Sequence, residues 1–78
     1  MVKSFTLHGR RHYLHPQLPA GEIEWLVNRM HISLSDDAVV AAIERRSRHW
    51  PERFRQQAER YALHCHHRNQ RLVARHRL

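Results

Sequence analysis

Nine histidines are many for a chain of 78 residues, and two of them have a spacing that could bind a metal ion. On a helix, the imidazoles of His64 and His67 lie one turn apart and could chelate Zn²⁺ or Ni²⁺. Two further ligands would be needed, and only the first nineteen residues offer them, as His8, His12 and His15. We therefore predict neither a metal site nor a cofactor, and expect surface histidines that gain positive charge as the pH falls.

A row of basic side chains is the second feature that could do chemistry. At about 100° per residue, a C-terminal helix gathers cations and histidines on one arc of its surface. We call this arc the basic stripe, and its members are Arg53, Arg60, His64, His67, Arg68, Arg71 and Arg75. Guanidinium groups in such a row can contact successive phosphates and release counterions. The alternative is an ordinary solvated helix face, which Glu52 and Glu59 balance in part.

The charge of the chain is divided along its length, within a formal net charge of +7. Residues 1–19 contain Lys3, Arg10 and Arg11 and no acid, whereas residues 20–44 hold five of the seven acids and one arginine. Ten arginines follow in residues 45–78, against two glutamates. Basic segments of this kind favour a polyanionic partner.

The predicted function is non-catalytic binding to nucleic acid, DNA or RNA, by a small regulatory or accessory protein. Its contacts would come from the basic stripe, with further contacts from the basic residues of the N-terminal segment. The alternative is a protein–protein interaction module or inhibitor that docks its basic stripe on an acidic surface of a partner protein.

Catalysis finds little support in the residue pattern, so we expect that the chain is not an enzyme. It has two glycines and therefore no glycine-rich loop for phosphate, and its lone Cys65 falls on an apolar helix face, as a core residue does. A single cysteine excludes an internal disulfide and fits the cytoplasm. No apolar run approaches the roughly 18–20 residues of a membrane span, so no membrane partner is expected.

Three helices must position these residues. The spacing of Ile23, Leu26, Val27 and Met30 predicts a first helix with one buried face. A second begins after Ser33 or Ser35, which are candidate N-caps, and buries Val39, Val40 and Ile43. Pro51 starts a third at its first helical position, with an apolar face formed by Phe54, Ala58, Tyr61, Cys65 and Leu72.

The N-terminal segment, residues 1–19, has no helical period. Phe5 and Leu7 alternate with polar residues, and a turn at Gly9-Arg10 would bring His12 and Leu14 to the same side. We predict either an irregular basic arm or a short β-hairpin. The fold class is therefore mostly α: a single small domain in which this segment precedes a three-helix part, residues 20–78, with a long basic C-terminal helix.

The third helix is too long for the first two to cover. It would extend about 39 Å, roughly twice the length of either neighbour. The uncovered apolar residues Leu72 and Val73 predict a homodimer, with the N-terminal segment or another partner as alternatives. A helix-turn-helix is disfavoured, because Asp36 and Asp37 would stand at the helix end that meets the bases.

Overall fold

A computed structural model describes residues 3–76 of the chain as a β-hairpin followed by three helices. The hairpin has strands β1 (Ser4–Leu7) and β2 (Arg10–Tyr13). The helices are α1 (Ala20–Asn28), α2 (Asp36–Arg46) and α3 (Glu52–His76). The predicted mostly helical fold is confirmed, and of the two alternatives for the N-terminal segment the hairpin is present.

The hairpin turns at His8-Gly9, one residue earlier than expected. Both residues have positive φ, 53° at His8 and 76° at Gly9, which is the backbone of a type I′ turn. This turn pairs Phe5 with His12 and Leu7 with Arg10 in the antiparallel register. Phe5 and Leu7 are buried on one side of the hairpin, so that side has to pack against another element.

That element is α3, against which α1, α2 and β1 all pack. The contact surface of α3 is built from small residues, Ala58, Ala62 and Cys65, each fully buried. Small side chains let three elements approach one helix closely. The opposing side chains are larger: Ile23 and Val27 of α1, Val39 and Ile43 of α2, and Phe5 and Leu7 of the hairpin.

Leu72 is 45% exposed, as predicted for an apolar residue of α3 that the first two helices do not cover. Elsewhere the buried face of α3 differs from the predicted apolar face, since Phe54 and Tyr61 are only half-buried. In their place α3 buries a polar residue, His66, because the segment between α1 and α2 crosses α3 at this point.

The helix ends follow from the sequence with small shifts. Ser35 is the N-cap of α2 and accepts a hydrogen bond from the amide of Ala38 at 3.2 Å. Helix α3 begins at Glu52, one residue later than predicted, and the Pro51 carbonyl accepts from the amides of Phe54 and Arg55. Within residues 3–76, no helix has both the length and the apolar character needed to cross a membrane.

Candidate nucleic-acid interface

The hairpin lies across the middle of the basic stripe. His64 Nδ1 is 3.0 Å from the carbonyl oxygen of Thr6, and its ring centroid is 5.2 Å from that of Phe5. One turn further along α3, the ring of His67 meets that of His8 edge-on, at 5.7 Å. The two histidines therefore hold the hairpin on α3.

Two stripe residues also contact acids of the other helices. His67 Nε2 is 2.8 Å from Asp36 Oδ1 at the start of α2, and Arg68 donates to Glu24 of α1 at 3.0 Å. The hydrogen bond from Arg68 lowers the pKa of Glu24, and the same bond raises the pKa of Arg68. Arg68 thus pairs with an acid of α1 within the fold and is also a candidate contact for nucleic acid.

Four stripe residues have exposed side chains on either side of the hairpin contact: Arg53, Arg60, Arg71 and Arg75. Along the helix axis, Arg53 and Arg60 are about 10 Å apart, and Arg60 and Arg71 about 16 Å. The guanidinium of Arg53 lies 5.2 Å from the ring centroid of Phe54, which limits its freedom. The stripe is therefore not one open row of cations but two pairs, separated by the hairpin.

The hairpin adds its own cations to this side of the molecule. Lys3, Arg10 and Arg11 are exposed, as is Tyr13. Sequence reasoning did not single out Tyr13, although strand alternation carries the signal: Phe5 and Leu7 point inward, so Thr6, Arg11 and Tyr13 point outward.

The two acid-free parts of the chain come together in this way. Residues 1–19 contain no acid, and neither does the arc of α3 on which the hairpin packs. Asp36 and Glu24 reach its margin, and each is bound there by His67 or Arg68. We call the resulting face the hairpin–stripe surface; its exposed members are Lys3, Arg10, Arg11, Tyr13, Arg53, Arg60, Arg71 and Arg75.

Acids gather instead in a groove between α2 and α3, away from the hairpin. It is lined by Glu44, Glu52 and Glu59 with Arg45, Arg48 and Arg55. Burial and the neighbouring Glu44 carboxyl raise the pKa of Glu59. The groove carries both signs of charge, so it is a poorer site for a polyanion than the hairpin–stripe surface.

Cysteine and histidine side chains near this surface are engaged within the fold. Cys65 is fully buried, and burial raises the pKa of its thiol. Within the described part of the chain, no three His, Cys, Asp or Glu side chains are grouped so that they could hold a metal ion. His64 and His67 are occupied by Thr6, Asp36 and the hairpin rings.

The arrangement of α1 and α2 also differs from a helix-turn-helix reader. Residues 29–35 separate the two helices, and Asp36 at the start of α2 is turned toward His67 of α3.

Comparison of the chain with protein families, curated proteins and solved structures finds no match.

Proposed function

We propose that this protein binds nucleic acid without catalysis, through phosphate contacts on the hairpin–stripe surface. The observation that supports the proposal is the packing of the acid-free hairpin on the acid-free arc of α3. The hairpin and this arc together have seven exposed cations, and two nearby acids are bound to His67 and Arg68. A polyanion is attracted to such a surface by these cations.

The mode of binding follows from what covers α3. Its middle is packed against α1, α2 and the hairpin, so α3 does not enter a major groove as an isolated helix would. Phosphates instead contact Arg53 and Arg60 on one side of the hairpin and Arg71 and Arg75 on the other. The basic residues of the hairpin bridge the two pairs.

The test is a titration of fluorescently labelled random-sequence DNA and RNA, followed by anisotropy. Four neutralised phosphates imply that affinity falls by on the order of 100-fold between about 50 mM and about 200 mM salt. The variant Arg60→Gln/Arg71→Gln removes two of these contacts, so the slope of log affinity against log salt decreases by about two. No detectable binding by micromolar protein at the lower salt overturns the proposal.

A matched control separates the surface from net charge. Arg45 and Arg48 are also exposed but line the groove that contains Glu44. The variant Arg45→Gln/Arg48→Gln removes the same formal charge and should retain most of the salt slope. Equal losses in both double variants would mean that total charge, and not the hairpin–stripe surface, determines binding.

A second candidate function is docking on an acidic surface of another protein. It is favoured by the C-terminal end of α3, where the exposed Leu72 stands between Arg71 and Arg75. Beside it is a shallow groove that Met30, Ile32 and Val73 line. An apolar centre with a cationic rim is typical of a protein interface.

We propose a homodimer in which the same Leu72 groove is covered by a second copy, and a regulatory or accessory role in the cytoplasm. Light scattering measures the mass in solution, and Leu72→Glu should reduce it to that of the monomer. If the wild-type chain is monomeric at all concentrations, the homodimer is wrong and the groove is available to a different protein.

A further inference from the structure

Exposed aromatic and large apolar side chains are few in the part of the chain that the structure describes. Among residues 3–76 they are Tyr13, Trp25 and Leu72, which are 59%, 55% and 45% exposed. Only Tyr13 belongs to the acid-free hairpin. It is also the one of the three that has an exposed aromatic ring on the hairpin–stripe surface.

Tyr13 is held on the outer face of the hairpin by the strand register. It pairs with Ser4, and the next outward pair is Thr6 with Arg11. Tyr13 and Arg11 are two residues apart on one strand, so their side chains leave the same face about 7 Å apart. The inner face is already filled, since the ring of Phe5 stacks on that of His12 at 5.3 Å. Packing therefore leaves the Tyr13 ring facing solvent.

Trp25 differs from Tyr13 in its surroundings. The guanidinium of Arg29 lies 4.7 Å from the centroid of the Trp25 ring, so one face of that ring is taken. Glu22 and Glu24 are its neighbours on α1, and their carboxylates repel phosphate. In the described part of the chain no guanidinium lies over the Tyr13 ring, so both of its faces differ from the covered face of Trp25.

We propose that the protein binds single-stranded nucleic acid, with an unpaired base stacked on Tyr13 and an adjacent phosphate on Arg11. This inference rests on the proposed function and names its substrate class. Inside a duplex both faces of a base are covered by its neighbours, so the exposed Tyr13 ring stacks on an unpaired base without first having to separate two base pairs. Each stacked base adds to the phosphate contacts without requiring a particular sequence.

The test measures three labelled probes at one salt concentration: a single strand of mixed sequence, a duplex of the same sequence, and an abasic strand of the same length. The abasic strand keeps the phosphates and lacks the rings. Wild-type protein should bind the single strand about 10-fold more tightly than the abasic strand, which is the affinity of roughly one stacked base. It should also prefer the single strand to the duplex.

Variants at Tyr13 test whether the preference for the single strand comes from the Tyr13 ring. Tyr13→Ala should bind the single strand about 10-fold more weakly and the abasic strand unchanged, whereas Tyr13→Phe should keep the wild-type affinity. Trp25→Ala removes an equally exposed ring from α1 and should have no effect. Circular dichroism of each variant verifies that the fold is retained.

The possible failures are distinguishable. If Tyr13→Ala and wild type bind the single strand equally, or if the duplex binds more tightly, the stacking inference is wrong. The proposed function then still stands when Arg60→Gln/Arg71→Gln weakens binding. If the wild-type protein binds none of the three probes, both proposals are overturned.

Discussion

His64 Nδ1 lies 3.0 Å from the carbonyl oxygen of Thr6, so this histidine of the basic stripe attaches the hairpin to α3. A two-stranded hairpin is marginally stable by itself in water. Its attachment to α3 depends on this hydrogen bond and on the rings of Phe5, Tyr61 and His64, whose centroids are 5.2–6.3 Å apart. The contact that attaches the hairpin to α3 thus lies inside the candidate interface.

Removing the His64 ring should therefore lower the stability of the whole domain. His64→Ala loses the hydrogen bond to Thr6 and the ring contact with Phe5, so the free energy of unfolding should fall by about 1–2 kcal/mol. Urea denaturation measures this change. His49→Ala, at an exposed position between α2 and α3, is the control and should change stability by less than about 0.5 kcal/mol. Equal effects in the two variants would mean that the hairpin does not depend on His64.

The two glycines should respond to alanine in opposite directions. Gly9 has φ of 76°, in the left-handed region, so Gly9→Ala should destabilise the hairpin by about 1–2 kcal/mol although the space around it is open. Gly21 lies in the first turn of α1 without a positive φ and also has open space, so Gly21→Ala should stabilise by about 0.4–1 kcal/mol. Thermal unfolding of both variants checks the signs. A destabilised Gly21→Ala would contradict the α1 backbone described above.

The helices were predictable because their signals are local. The spacing of Ile23 and Val27 identified the buried side of α1, and both side chains are buried. Ser35 was one of two candidate caps, and its hydroxyl makes the capping bond. Leu72 was predicted to lie on the part of the apolar face that the first two helices leave uncovered, and it is exposed because α1 ends at Asn28 and does not reach the last turns of α3.

The position of the hairpin was not predictable, because it depends on contacts distant in sequence. Helical periodicity places His64 and His67 among cations, and nothing nearby in the chain shows that Thr6 and His8 meet them. A histidine that makes a hydrogen bond to a distant strand has the same helical spacing in the sequence as a histidine that faces solvent. For this reason the helical spacing alone did not show that the hairpin divides the exposed arginines of the stripe into two pairs.

The Glu24–Arg68 pair should make stability depend on pH. The pKa of Glu24 is lowered from 4.5, chiefly by the hydrogen bond from Arg68, so the folded state favours the carboxylate. Its contribution is present above about pH 4.5 and is lost as the pH falls through the lower folded-state value. Glu24→Gln should therefore destabilise at pH 7 and converge with wild type in acid, as urea denaturation at several pH values would reveal.

A neighbouring acid provides the control for Glu24. Glu22 contacts Arg46 at 3.2 Å in a largely exposed ion pair, which contributes little because water screens it. Glu22→Gln should leave stability nearly unchanged across the same pH range. If it reproduced the effect of Glu24→Gln, the pH dependence would reflect the net charge of α1 instead of the bond to Arg68.

Neutralising Glu59 should change stability at pH 7 in the opposite direction to neutralising Glu24. Burial and the carboxyl of Glu44 raise its pKa above 4.5, so the ionised form is disfavoured in the folded state. Stability from this group is fully present below the unfolded-state value and declines as the pH rises through the higher folded-state value. Glu59→Gln should raise the melting temperature at pH 7, and Glu52→Gln, in the first turn of α3, should not. A lower melting temperature for Glu59→Gln would mean that its attraction to Arg55 exceeds the repulsion from Glu44.

The buried His66, which sequence reasoning did not single out, should stabilise the segment between α1 and α2. His66 is 1% exposed, and its Nε2 donates to the carbonyl of Leu34 at 2.9 Å. One turn later, Gln70 donates to the carbonyl of Ile32 at 2.6 Å. Residues 29–35 form no helix or strand, so these two side chains satisfy carbonyls that otherwise lose their partners on burial.

His66→Leu keeps most of the volume and leaves the Leu34 carbonyl without its donor, so the free energy of unfolding should fall by about 1–3 kcal/mol. Asn69→Leu is the matched control on the same helix, because the hydrogen bond from Asn69 to Asn28 is exposed and water can replace it. Urea denaturation of the pair measures the difference. Hydrogen exchange locates it: in His66→Leu the amide of Leu34, which donates to the carbonyl of His31, should exchange faster than in wild type. If both variants lose the same stability, the buried carbonyl has found water, and His66 contributes packing alone.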